Sequence, residues 1–157
     1  YSSQKYYIQN NVDINESLPL VTLASSANCK KSFGVITYYD NDKYIIGGDG
    51  KPIPDGQSTG YDNDVQPGYV RVNVSGDGGI WVCELNGNLE NGDFITSSDM
   101  PGYGMKQTDD YIHNYTVAKI TCDCNFQDIP ETMMKRCVEF NGIQVLAVFV
   151  GCSYYCG

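Results

Sequence analysis

Between Ile80 and Lys119 the chain sets repeated turn signals among short β-prone runs, and that density rules out a long helix there. Asn86–Gly87 and Asn91–Gly92 are strong turn dipeptides because Asn and Gly tolerate positive φ, and Pro101–Gly102 punctuates a loop. Segments this brief cannot bury an apolar face alone, so they need long-range pairing partners. The expected fold class is all-β. It is a single small barrel or β-clip-like domain of short strands with long loops and at most one short helix.

The 157 residues suffice for one domain, 1–157, with a sizeable core. Its 13 Tyr and 17 Gly fit strands and turns better than helices. Ten Lys+Arg against 19 Asp+Glu give a net charge of -9, a surface that repels a phosphate backbone. Nucleic acid is therefore not an expected partner. No apolar run reaches the roughly 18 residues of a membrane-spanning helix, so no membrane insertion is expected. A first residue of Tyr1 without a signal-type run reads as the C-terminal part of a longer precursor.

Strands are expected at Tyr6–Ile8, Leu20–Leu23, Ser32–Tyr39, Tyr44–Ile46, Tyr69–Val74, Ile80–Cys83, Phe94–Thr96, Tyr115–Cys122 and Val145–Cys152. Gly76–Gly79 reads as a hairpin turn, and Gly47–Gly68 as a long loop. Ile129–Phe140, with Pro130 near its start, is the only stretch suited to a short helix. Trp81, Phe94 and Ile95 are expected in the core.

Seven cysteines are many for a cytosolic domain of this size. Cys122/Cys124 and Cys152/Cys156 have even spacings, so in extended strands each pair would share a face. Two disulfides, a tetrahedral zinc site or free thiols all fit that pattern. Cys29, Cys83 and Cys137 leave an odd thiol. Sequons at Asn15, Asn73 and Asn114 agree with an extracellular or virion surface.

Catalytic signatures are thin. Asp40–Asp42 and Asp62–Asp64 lack the glycine and closing glutamate of a calcium loop. No P-loop lysine follows Gly76–Gly79. His113 is the only histidine, and its setting beside a sequon suits a loop. Asp93 and the Asp109–Asp110 pair are the carboxylates available for acid–base work, although an Asp in an Asn-Gly-Asp turn commonly bonds its own loop backbone. The exposed aromatics of a β domain could also hold host glycans. Neither a cofactor nor a metal is expected, and catalytic residues stay unassigned.

Gly79–Lys106, with Tyr115–Lys119 downstream, resembles a β-rich C-terminal module of phage tail appendages and of large structural or fibre proteins of giant, especially algal, viruses. The shared pattern is strand, Gly-x-Ile/Leu-x-x-Gly-Asp, strand, Ser-x-x-Pro-Gly-Tyr-x-x-Lys, strand. Val21–Ser26, Phe33–Thr37 and the ending Phe149–Gly157 are similar to flanking parts of the same module. The resemblance implies a peptidase G2-like intramolecular chaperone domain, trimer-associated and in some members self-cleaving. Structural turns would then be held by Gly87, Gly92, Asp93, Pro101, Gly102 and Tyr103. The implied function is assembly or trimerisation of a fibre, spike or capsid-associated virion protein, with itself and other virion proteins as partners. Self-cleavage through Asp93 or Asp109 and glycan attachment are the alternatives, and turnover of a substrate is not expected.

Overall fold

The computed structural model describes residues 2–3, 21–39, 44–46, 52–54 and 70–156. The expected strand at Tyr6–Ile8, the acidic runs 40–42 and 62–64, and Asn15 lie outside these residues. Contacts divide the chain into two compact units. One comprises Tyr1–Ser2, Leu23–Val35 and Asn73–Gly157, and the other Ser3–Thr22 and Ile36–Val72.

Among the described residues, twelve strands alternate with turns, as expected of an all-β chain. β1 (Ser2–Ser3) pairs β2 (Val21–Thr22), β3 (Val35–Tyr39) pairs β6 (Val70–Asn73), and β4 (Tyr44–Ile46) pairs β5 (Pro52–Pro54) antiparallel. The span read as one long loop from Gly47 thus contains a short strand.

The first unit is built on six strands. They are β7 (Ser75–Cys83), β8 (Phe94–Ser97), β9 (Gly104–Lys106), β10 (Thr116–Ile120), β11 (Lys135–Phe140) and β12 (Ile143–Tyr155). The spatial order is β10-β8-β9-β7-β12-β11, and β10 pairs β12 as well. The ladder therefore returns on itself, though irregularly. β7 and β9 share a single parallel pair, Val82 with Gly104, and β8–β10 shifts register between Thr116 and Ala118. It is not a regular barrel.

β12 is the spine. Ala147–Tyr155 pairs β7 along one side, while Ile143–Val148 pairs β11 and Cys152–Tyr154 pairs β10 along the other. Both of its faces are covered, which is why Val145–Val150 reads as an unbroken apolar run. Val148, Val150, Cys152 and Tyr154 join Ile80, Val82, Ile95 and Ile120 in one core cluster. Val145 and Ala147 turn the other way, to Cys83, Met100 and Met105. Ile95 is fully buried, but Trp81 and Phe94 are only half-buried. Trp81 lies beside Phe149 and Tyr103, and Phe94 beside Tyr155 and under Lys119.

Two other readings need correction. Gly76–Gly79 is not a hairpin turn, because it lies inside β7. A Cβ on Gly78 would overlap Tyr154, and one on Gly79 would overlap the Phe149 ring, so these glycines admit aromatic side chains from β12. Ile129–Phe140 is not helical either: turns at 131–132 lead into β11. Half-buried Val138 and Phe140 alternate with exposed Cys137 and Glu139, Lys135 and Arg136 are both exposed, and Asn141–Gly142, both with positive φ, turns the chain into β12. That is the two-residue hairpin Asn-Gly favours.

Candidate functional site

The loops joining β7, β8, β9 and β10 carry the residues singled out in the sequence. Gly87 (φ 90°) closes the 3-10 turn Glu84–Asn86, its N–H donating to the Glu84 carbonyl at 2.9 Å. In the turn Glu90–Asp93, Gly92 (φ 99°) holds the third position and the Asp93 N–H donates to the Glu90 carbonyl at 2.9 Å. The Asp93 carboxylate accepts from the Glu90 N–H at 2.7 Å and meets Lys106 Nζ at 2.9 Å. The hydrogen bond to Asp93 raises the Lys106 ammonium above its ordinary value, against a smaller opposing effect of burial. The Asp of the Gly-Asp element and the Lys that ends Pro-Gly-Tyr-x-x-Lys are therefore ion-pair partners.

Met100–Tyr103 forms the second turn, with Pro101 second, Gly102 (φ 82°) third and Tyr103 N–H donating to the Met100 carbonyl at 3.2 Å. Buried Ser98 braces it, its hydroxyl donating to the carbonyls of Tyr103 (2.8 Å) and Met100 (3.1 Å). The segment from Leu23 is stapled across this turn. Gly102 N–H donates to the Ala24 carbonyl at 3.0 Å, Cys29 N–H to Ser97 Oγ at 2.8 Å, and Ser97 Oγ to the Ser26 carbonyl at 2.8 Å. Ala27 N–H donates to Asp99 at 2.9 Å. The upstream and downstream parts of the sequence resemblance meet here.

The loop from Gln107 to Thr116 gathers the acid–base candidates. His113 Nε2 lies 2.9 and 3.0 Å from the two Asp109 carboxylate oxygens, and its ring stacks on Tyr115 with centroids 4.6 Å apart. Asp109 also accepts from Tyr111 N–H at 3.0 Å and Gln107 Nε2 at 3.0 Å. The Tyr111 amide is the largest cause holding Asp109 below the ordinary aspartate value, with His113 and Gln107 adding to it against burial. A carboxylate so stabilised as the anion is a weak proton acceptor. Gln107, 4% exposed, anchors the loop: its amide also donates to the Tyr111 carbonyl at 2.6 Å, and its oxygen accepts from Thr116 Oγ1 at 2.7 Å. Gln107 and Thr116 escaped the sequence reading; their only signal is polarity beside a strand.

Asp93 and Asp109 thus serve different partners and do not share a site. What the second network accomplishes is mechanical. It fixes a loop whose tip holds out Tyr111 (74% exposed) and Ile112 (62%).

The cysteines depart from the disulfide expectation, since all seven are free. The premise of two facing strands fails, because β10 ends at Ile120, Cys122 lies in a bend, and Cys124 forms an isolated bridge with Leu89. Cys124, Cys152 and Cys156 instead fill the first core cluster as small apolar groups. Burial pushes the Cys152 thiol up to about 12 and Cys156 to about 11. Among the described residues, no group of three or more His, Cys, Asp or Glu is placed to hold a metal, and no helix is long and apolar enough to cross a membrane. Asn114 is exposed at a turn, while Asn73 is half-buried in β6. No known protein family, curated protein or solved structure matches this chain.

Proposed function

We propose that this chain is an assembly domain of a virion structural protein (fibre, spike or capsid-associated), working by association with copies of itself, in threes, and with other virion proteins. The observation that carries this reading is the braced tip. Tyr111 and Ile112 stand in water on a loop held by Gln107, Asp109, His113 and Thr116. Two adjacent large apolar side chains, fixed in place and stripped of cover, suit a contact that another protein surface completes. The carboxylates a catalyst would need are committed to an ion pair and to this bracing. The test is the native mass of a Tyr111→Ser/Ile112→Ser variant. The reading expects a smaller assembly than wild type that stays folded and melts in one cooperative transition, and an assembly of undiminished size would remove it.

A further inference from the structure

β11 ends the six-stranded order and has a partner along one edge only among the described residues. Its hairpin with β12 closes on Asn141–Gly142, with Phe140 opposite Ile143. In a two-residue hairpin the flanking residues exchange hydrogen bonds, and bonded pairs alternate along the ladder. Arg136, Val138 and Phe140 therefore direct their backbone groups toward β12. One step further, Phe149 N–H donates to the Met134 carbonyl at 2.9 Å, in phase with that assignment. Lys135, Cys137 and Glu139 direct their N–H and C=O groups outward.

Side chains follow the same alternation. Arg136 lies 4.0 Å from the Trp81 ring centroid, and Val138 and Phe140 pack on the second core cluster. Lys135, Cys137 and Glu139 share the opposite face, and all three are exposed.

We propose that β11 pairs edge to edge with β11 of a second copy of this chain, antiparallel about a two-fold axis through Cys137. The order of charges sets the register. With Cys137 opposite its own counterpart, Lys135 faces Glu139 of the partner subunit and Glu139 faces Lys135 of the partner subunit. A shift of two residues either way removes both pairs. Charged edge strands usually keep chains apart, but here the sequence of signs is complementary to itself, and opposite charges directly across a ladder attract. The outward groups supply about six backbone hydrogen bonds. Hydrogen-bonded antiparallel pairs hold Cα atoms about 5.5 Å apart, within the range a disulfide spans, so the two Cys137 thiols come within reach of each other.

This inference rests on the self-association reading for its partner but uses other residues, so the two can fail separately. Sedimentation velocity of the full chain under reducing conditions, with Lys135→Glu and Glu139→Lys variants, tests it. Each reversal alone sets like charges opposite each other twice and raises the dissociation constant roughly tenfold or more. An equimolar mixture of the two variants restores association, because one strand then carries two acids and the other two bases. Oxidation by copper phenanthroline and dissolved oxygen, which takes two electrons and two protons from the paired thiols, yields a covalent dimer that Cys137→Ser abolishes. A wild-type assembly indifferent to both reversals overturns the edge pairing and leaves self-association standing. A wild-type monomer at every concentration overturns both.

Discussion

Replacing Gly78 by alanine probes how β7 and β12 are joined. Gly78 lies opposite Cys152, and a Cβ there would overlap the Tyr154 hydroxyl and ring edge. Tyr154 has nowhere to retreat. It is 5% exposed, and its hydroxyl donates to the Gly79 carbonyl at 2.7 Å and accepts from the Gly79 N–H at 2.9 Å. Forcing one extra methyl into such packing costs about 1–3 kcal/mol. Losing either hydrogen bond adds about 0.5–1.5 kcal/mol. The combined destabilisation is about 1.5–4.5 kcal/mol, which at this chain length lowers Tm by roughly 3–18 °C. Urea unfolding followed by Trp81 fluorescence reads it out, with the m-value unchanged. Tyr154→Phe removes the nearest clashing atom together with the hydrogen bonds, so the double variant should lose less than the sum of the singles. A Gly78→Ala protein within about 0.5 kcal/mol of wild type, or strict additivity in the double variant, would refute the reasoning.

Two further outcomes are expected. Iodoacetamide on the native protein at pH 7.5 should modify Cys137, which is exposed, and Cys29, while sparing Cys83, Cys124, Cys152 and Cys156 until unfolding. Burial opposes ionisation of Cys29, but the polar groups around it, the Lys31 N–H foremost, outweigh it and lower this thiol, so peptide mapping that finds it inert would contradict the site as described. Stability should also fall in alkali. Cys152 and Cys156 are raised to about 12 and about 11 from an ordinary 9.0, so their contribution is complete below pH 9 and is lost as pH rises toward those values. Substituting both by alanine should flatten that decline in a denaturation series from pH 8 to 11.

The turns were the most legible part of this sequence, because positive φ is a local demand with few residues able to meet it. Gly87, Gly92 and Gly102 meet it in three places. The apolar run in β12 was equally readable, since a strand covered on both faces has no polar side to show. Gly78 and Gly79 misled because glycine serves close approach as readily as a turn, and only the rings of Tyr154 and Phe149, some seventy residues downstream, decide between them. Pro130 near its start makes Ile129–Phe140 suited to a short helix, although the alternation from Lys135 to Phe140 and the Asn141–Gly142 dipeptide mark a hairpin. The Asp93–Lys106 ion pair and the Gln107 anchor depend on which strands become neighbours. Such partnerships are set by topology rather than by local spacing.

Sedimentation equilibrium on the wild-type chain, over a hundredfold range of concentration in reducing buffer, weighs the central claim most directly. Self-association predicts a mass that climbs to a whole multiple of 17.3 kDa. A value fixed at 17.3 kDa throughout would contradict it.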